Sequence, residues 1–249
     1  VFSCGGAITQ MVKEGPVLVI NIFTRFLSNK KFHGIVMGDE RLQEEKNAAK
    51  FLGYESINLD ELDAIYRRKA YQKISNIFRP PIEEDRLWLP AIRNKIFEII
   101  GEIDYQEIYI PLGIGWHVDH ILTNQVFEPM FGDPKLFFYE DTPYCLIAQT
   151  TRYRMSEFAN YPSSPIDLSL APFKEFISGC QTSKSYAQTA MMKNIKPWIL
   201  RILAYPVVSI FLIRLMAQHR KNFNSTNKIS LKPHVVDIKE PFEKKLDAM

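Results

Sequence analysis

The chain has 249 residues, of which 46% are hydrophobic and 24% charged, and its formal net charge is +3. This composition is ordinary for a globular protein with one sizeable domain. The small net charge, without a long basic run that carries interleaved aromatic residues, argues against a nucleic-acid partner. Cys4, Cys145 and Cys180 lie far apart, which argues against a disulfide framework and fits a reducing compartment. With no secretory signal pattern, we expect a cytoplasmic protein.

Predicted helices and strands alternate from the start of the chain. Residues 4–14 are predicted to form a helix, and Val17–Phe23 is an apolar, β-branched run typical of a buried parallel strand. Helical periodicity follows over Arg41–Leu52, and Gly53 is well placed to end that helix. Ser56–Leu59 is a weaker strand. This order favours a parallel sheet with right-handed crossovers.

The alternation continues through the middle of the chain. Glu84–Gly101 is predicted to be a helix whose apolar stripe consists of Leu87, Ile92, Ile96 and Ile100. A strand over Glu107–Leu112, a helix over Asp119–Met130 and a strand over Lys135–Tyr139 follow in that order. The fold class is therefore predicted to be α/β.

After Tyr144 the alternation of predicted helices and strands becomes weaker. The whole chain is therefore predicted to consist of four segments. Residues 1–150 form the predicted core, and residues 151–185 are predicted to be loops over its functional edge. Residues 186–222 are interpreted as an apolar helical insertion. Residues 223–249 are predicted to add a strand and the start of a helix that complete the core.

The apolar segment 198–217 is about as long as a membrane span, but Arg201, Pro206 and Arg214 are expensive in lipid. The favoured interpretation is a helical hairpin, broken at Pro206, that packs on the domain or on another subunit. Contact with an anionic membrane surface, which would make the protein peripheral to the membrane, stays open as the alternative. The oligomeric state also stays open.

His117-Val118-Asp119-His120 is the most informative motif of the chain. It stands where a predicted strand with Gly113 and Gly115 leads into a helix, and ligands bind at the carboxyl ends of strands in open α/β sheets. Imidazole is the commonest metal ligand and the usual acid or base near neutral pH. One histidine could therefore bind zinc while the other faces a substrate. Alternatively, the two rings share a solvated helix face, with His117 capping the helix start.

Several motifs, in one order over residues 1–145, resemble the PIG-L/LmbE-like zinc-dependent N-deacetylases. They are Cys4-Gly5-Gly6-Ala7-Ile8 with Val17–Thr24, Arg41-x-x-Glu44 with Leu52-Gly53, and His117-x-Asp119-His120. Tyr139-Glu140-Asp141-Thr142-Pro143-Tyr144 resembles an element of one bacterial branch of that family. The resemblance implies a Rossmann-like fold, an open and mainly parallel sheet with helices on both faces. It also implies removal of an N-acetyl group from an N-acetylglucosamine-type sugar or glycoconjugate.

The resemblance also implies roles for individual residues. His120 would bind Zn²⁺, although Fe²⁺ could occupy the same kind of ligand set. His117 would stabilise the tetrahedral intermediate, and Asp119 would orient His117 and stabilise its charge. The candidate substrate contacts are Arg41, Tyr139, Glu140 and Asp141. Alternatively, Arg41 forms only a helix-surface pair with Glu44, and the other three residues serve only to shape the loop at the strand end.

In the family, a His-x-Asp-Asp motif before the Gly-Gly helix supplies two metal ligands and the general base. We expect this motif upstream of Val1, so that residues 1–249 are a fragment that is inactive alone. Two other functions stay open: a non-catalytic relative that binds sugar or a partner, and a Rossmann-like cofactor-binding domain of different chemistry. The cofactor-binding alternative predicts an acidic residue after the second strand, where the chain has Thr24-Arg25.

Overall fold

Helices and short parallel strands alternate in the computed structural model. It describes residues 3–27, 39–73, 76–142, 144–159 and 227–232, together with Ala171, Lys174, Pro206, Ile210 and Ile213. The described chain divides into two compact units. The first unit holds residues 3–27 and 39–73, and the second holds the ranges 76–142, 144–159 and 227–232.

In the first unit, two helices flank a parallel pair of strands. Its elements are α1 (Gly5–Glu14), β1 (Leu18–Asn21), α2 (Asp39–Leu52), β2 (Glu55–Asn58) and the short α3 (Ala64–Arg67). Leu18 pairs with Glu55 and Asn21 with Asn58. Gly53 ends α2 with a φ of 84°, a left-handed conformation that favours glycine. The predicted helices and strands of this region are therefore confirmed within a few residues.

The second unit contains two further parallel pairs. Its elements are α4 (Glu83–Gly101), β3 (Ile108–Pro111), α5 (Val118–Val126), β4 (Leu136–Tyr139), α6 (Ala148–Met155), β5 (Phe158–Ala159) and β6 (Asn227–Ser230). β3 pairs with β4, and β5 pairs with β6. Leu112, Ile114 and Phe158 form a buried apolar cluster beside these strands. The β3–β4 pair carries the histidine motif at its carboxyl end.

The Arg93 side chain on α4 joins α4 to α5 by capping the carboxyl end of α5. The Arg93 guanidinium donates hydrogen bonds to the carbonyl oxygens of Gln125 and Val126, at 2.7 and 2.8 Å. These carbonyls are in the last turn of α5, where a cation also complements the helix dipole. The guanidinium therefore holds the end of α5 against α4.

Two details of the predicted helices are wrong. Ile92 and Ile96 are each 1% exposed, but Leu87 is 74% exposed. At about 100° per residue, Leu87 lies about 140° around α4 from Ile92, away from the buried stripe. α5 ends at Val126, and Glu128–Met130 forms a separate 3-10 turn, because Pro129 lacks the N–H that would continue the helix.

The predictions for the later segments have mixed outcomes. Residues 151–155, predicted to be loop, belong to α6 instead; the segment contains good helix formers but has no apolar stripe. Apart from Pro206, Ile210 and Ile213, the insertion 186–222 lies outside the described residues, as does the strand predicted near Val235. No helix in the described ranges is both long and apolar enough to cross a membrane.

Mixed α/β architecture is confirmed, since helices accompany parallel strands throughout both units. The hydrogen bonds between described strands form three separate two-stranded sheets, β1–β2, β3–β4 and β5–β6. The finer prediction of one open Rossmann-like sheet with helices on both faces therefore stays a prediction.

Candidate active site

The turn between β3 and α5 is tightly constrained by its backbone. Gly113, Gly115 and Trp116 have φ angles of 83°, 77° and 61°, so three of four successive residues are left-handed. A Cβ on Gly113 would lie 2.7 Å from Ile121 Cδ1, and one on Gly115 would lie 2.4 Å from Tyr144 Cγ. Such crowding requires glycine at both positions. Left-handed conformation at a tryptophan is strained, and such strain is concentrated at functional sites.

Asp141 ties this turn to the end of β4. Its carboxylate has no exposed surface, and Oδ2 accepts hydrogen bonds from the backbone N–H groups of Gly113 (2.7 Å) and Ile114 (2.8 Å). Its own carbonyl oxygen accepts from the Cys145 N–H at 2.9 Å. A buried carboxylate is tolerated when donors of this kind offset its desolvation.

The other oxygen of Asp141 faces His120, which lies in the first turn of α5. His120 Nδ1 is 2.6 Å from Asp141 Oδ1, and about a third of the His120 side chain (33%) is exposed. Both atoms are buried, the contact is not aligned as a hydrogen bond, and neither atom has a hydrogen-bond partner among the residues that the structure describes. The imidazole is therefore held at Nδ1 by a single fixed carboxylate.

His117 is the N-cap of α5, which was the alternative role considered for it. Its Nδ1 accepts a hydrogen bond from the Asp119 backbone N–H at 3.3 Å. A ring nitrogen that accepts carries no proton, so in neutral His117 the proton is on Nε2. The rings of His117 and His120 lie 5.1 Å apart between centroids. The motif thus brings two imidazoles together, and the cap fixes one of them.

Two aromatic side chains surround the histidines. The Phe78 ring packs edge-on against His117 at 5.8 Å and against Tyr144 at 5.6 Å between centroids. Tyr144 packs against His120 at 5.9 Å. Neither residue is among the candidates predicted from the sequence. Tyr144 closes the Tyr-Glu-Asp-x-Pro-Tyr motif, which is a usable signal, whereas nothing in the sequence marks Phe78.

A buried arginine, also not predicted, braces the same turn from α6. Arg154 Nε donates to the Leu112 carbonyl at 2.7 Å, and Nη2 donates to Asn124 Oδ1 at 3.2 Å. Arg154 also pairs with Glu157. Its guanidinium therefore connects the exit of β3, α5 and the residues after α6.

The remaining candidate residues differ in burial and in the element that carries them. Asp119 is buried within α5, at 5% exposure, and its backbone N–H is the group that contacts the His117 ring. Tyr139 is half-buried at the end of β4, and Glu140 is exposed beside it. Partial desolvation, and then the charge of Asp141, raise the pKa of Glu140. Arg41 is exposed on α2 in the first unit.

Asp141 was predicted either to contact substrate or only to shape the loop after β4, and its role stays a prediction. Its side chain has no exposed surface in this structure. One carboxylate oxygen accepts from two backbone N–H groups and the other faces His120. These contacts favour the loop-shaping alternative.

The donor atoms fit a zinc site in part. Within the described ranges, no group of three His, Cys, Asp or Glu side chains is arranged to hold a metal ion. His120 fits as one ligand, because a carboxylate at Nδ1 and a metal at the other ring nitrogen is the usual arrangement of zinc-binding histidines. The described residues therefore supply one plausible ligand with its supporting carboxylate.

A cleft of about 180 Å³ also lies in the second unit. Its lining includes Arg86, Trp116, Gln125, Glu128 and Phe131. Neither histidine lines it, so the chemistry that imidazole offers is located outside this cleft.

No protein-family model matches the chain. The 2′-N-acetylparomamine deacetylase of Streptomyces fradiae is 25% identical over 151 residues, which are 57% of this chain and 53% of that protein. The chain thus spans about half the length of the curated relative it matches.

Solved structures of deacetylases are similar in fold. A deacetylase–bog complex from teicoplanin biosynthesis covers 80% of this chain and 84% of its own, with a TM-score of 0.51 and 17% identity. Teicoplanin deacetylase Orf2, in its zinc-inhibited form, covers 77% and 83%, with a TM-score of 0.49 and 16% identity. The likeness to the first of these structures supports an α/β fold of the kind seen in such deacetylases.

Proposed function

We propose that this protein is a metal-dependent hydrolase that removes the N-acetyl group from an N-acetylated amino sugar. The observation that carries the proposal is the β3–α5 junction, where His117 and His120 lie side by side and Asp141 supports the second of them. The similarity to a 2′-N-acetylparomamine deacetylase supports a sugar amide as the substrate class. A glycopeptide sugar is a second candidate, from the similarity in fold.

His120 is the proposed metal ligand. Its Nδ1 faces Asp141 Oδ1, so Nε2 is the ring nitrogen that would hold the ion. The resemblance assigns the other ligands and the general base to a His-x-Asp-Asp motif. When bound, a zinc ion supplies the Lewis acidity that polarises the acetyl carbonyl and makes water a stronger nucleophile near neutral pH.

His117 is the proposed donor to the developing oxyanion. The Asp119 N–H occupies Nδ1, so the proton on Nε2 is the one that would be donated to a carbonyl oxygen as negative charge develops on it. Such a donor typically contributes on the order of 10²–10³ in rate. Asp119 fixes the ring in this orientation through its backbone N–H.

The substrate-binding part of the proposal is broader. Phe78 and Tyr144 give the histidines aromatic neighbours, as small-molecule sites commonly have. Tyr139, the last residue of β4, and Glu140, which follows it, lie at the same end of the β3–β4 pair and remain candidate contacts for sugar hydroxyl groups. Arg41 remains a candidate on α2.

Acetate release from a panel of N-acetylated amino sugars tests the proposal. The full-length protein would be stripped with a chelator, reloaded with Zn²⁺ or Fe²⁺, and supplied with N-acetylglucosaminyl compounds, 2′-N-acetylparomamine and an N-acetylglucosaminyl glycopeptide. We expect release of acetate and a free amine that the chelator abolishes and the metal restores. Sugar binding without acetate release would instead support the non-catalytic relative. Binding of a dinucleotide, again without acetate release, would support the cofactor-binding domain.

A further inference from the structure

Asp141 is a buried charged group to which the proposed chemistry assigns no step. Oδ2 accepts from the Gly113 and Ile114 N–H groups, so two donors fix that oxygen to the β3–α5 turn. Oδ1 lies 2.6 Å from His120 Nδ1, and neither of these two buried atoms has a hydrogen-bond partner in the described part of the chain. The two unsatisfied atoms therefore face each other.

The distance between His120 Nδ1 and Asp141 Oδ1 indicates what the two atoms share. Two bare lone pairs at 2.6 Å would repel, so a proton or a cation has to be shared. Two ligands about 2.0–2.1 Å from a tetrahedral zinc ion would be roughly 3.3 Å apart, which is much longer. A charge-assisted N–H···O contact of about 2.7–2.9 Å is far closer to the observed distance. The ring torsion of histidine is broad, so the His120 ring can adjust its orientation towards the carboxylate.

We propose that Asp141 is a positioning residue that keeps the proton of neutral His120 on Nδ1 and leaves Nε2 with a bare lone pair. The two backbone donors on Oδ2 anchor the carboxylate, so the turn after β3 sets the orientation of the imidazole. His117 has the opposite tautomer, because its Nδ1 accepts from a backbone N–H. One histidine thus presents a lone pair, and its neighbour presents an N–H. Only the use of that lone pair for a metal rests on the proposed function.

Asp141→Asn separates the two duties of the carboxylate. An asparagine oxygen can still accept from the Gly113 and Ile114 N–H groups, and those two donors exclude the opposite orientation of the amide. The asparagine NH₂ group then faces His120 Nδ1. A donor at that position requires Nδ1 to accept, so the ring proton is expected to move to Nε2.

The tautomers can be measured by long-range ¹H–¹⁵N correlation on metal-free, full-length protein labelled with ¹⁵N-histidine. The pH would be set well above the usual histidine pKa of about 6.5, and His120→Gln would assign the signals. We expect protonated Nδ1 and bare Nε2 for His120, and the reverse in Asp141→Asn. Glu98→Gln removes the same charge from an exposed position on α4 and should leave both tautomers unchanged. The His117 signals should not move in any variant except by small shifts.

A wild-type His120 with protonated Nε2 would overturn the proposal, and this outcome does not require Asp141→Asn to fold. An Asp141→Asn protein that keeps protonated Nδ1 would also overturn it. Because neither metal nor substrate is present, absence of deacetylation would contradict the proposed function and leave this result intact. Likewise, a tautomer result that contradicts this proposal would leave the proposed deacetylation untouched.

Discussion

The two parallel strand pairs β1–β2 and β3–β4 differ most at their carboxyl ends. At the end of β1–β2, Asn21 Nδ2 donates to Asn58 Oδ1 at 3.1 Å and to Glu45 Oε1 at 3.2 Å. Asn58 is exposed, so water can reach this group. At the end of β3–β4, the carboxylate of Asp141 is wholly buried and faces His120.

This difference shows that position in an α/β fold does not by itself define a site. Exposed amide groups near water cost little to arrange, whereas a buried carboxylate costs several kcal/mol of desolvation unless donors offset it. The turn at Gly113 and Ile114 supplies two such donors to Asp141. A fold that retains this arrangement uses it to orient a particular ring, and variants at the two ends should therefore behave differently.

The largest expected effect is that of His120→Gln in the full-length protein. Removing the proposed metal ligand should reduce acetate release by more than the roughly 10²–10³-fold that loss of one oxyanion donor costs. Asn58→Ala, at the corresponding end of the first pair, should leave the rate unchanged and alter stability by about 0.5 kcal/mol or less. Steady-state rates with the best substrate of the panel would measure this. Full activity of His120→Gln would remove the β3–α5 junction from the mechanism.

His117 has two proposed duties, which Asn and Ala substitutions separate. Asparagine is a good N-cap, so His117→Asn should keep the stability of α5 but lower kcat by about 10²–10³-fold through loss of the imidazole N–H. His117→Ala should show the same kinetic loss and also cost about 1 kcal/mol of stability. Rates combined with urea unfolding would resolve the two duties. If His117→Asn were fully active, His117 would be a cap alone.

A smaller effect is expected for Asp141→Asn on the binding of zinc. Mutating the outer partner of a metal-binding histidine typically costs 10–100-fold in affinity, and we expect a loss of about that size. Competition with a chromophoric chelator would measure it in the full-length protein. Glu98→Gln is the matched change of charge in the same unit and should bind zinc as tightly as the wild type. Equal affinity in both variants would mean that the carboxylate does not support a ligand.

Much of the secondary structure could be predicted because its signals are local. Each signal is contained within a few neighbouring residues. The signals are the β-branched run near Val19, the helical periodicity before Gly53 and the apolar strand that ends at Pro111. The histidine pair was found for the same reason, since the short motif contains both rings. Helix α6 escaped prediction because it has no apolar stripe that periodicity could reveal.

The parts of the site that could not be predicted depend on contacts between distant residues. Arg154 reaches a carbonyl 42 residues earlier, and Asp141 accepts from an N–H 28 residues earlier. Sequence patterns report local periodicity, not which side chain a turn will bury. The motif therefore marked Asp141 as a candidate, but its contacts with the Gly113 N–H and with His120 depend on the fold.

The smallest expected effect is a difference between two glycine variants, one in each unit. Gly53 and Gly115 have φ angles of 84° and 77°, so alanine should cost about 1–2 kcal/mol at either position from backbone strain alone. A Cβ at Gly53 meets nothing within 4 Å, whereas one at Gly115 would overlap the Tyr144 ring. Gly115→Ala should therefore cost a further 1–3 kcal/mol or so, and should also slow acetate release by displacing Tyr144 from the histidines.

Urea unfolding of both variants would measure this difference, provided that their m-values agree. Gly115→Ala/Tyr144→Gly, compared with Tyr144→Gly alone, provides the control. Tyr144 Cβ itself would lie 2.7 Å from the new Cβ, so the whole side chain has to be removed before the cost of the alanine returns to that seen at Gly53. Equal destabilisation by the two single variants would show that Tyr144 can move aside freely. In that case the crowding at the β3–α5 turn would not hold the aromatic ring against the histidines.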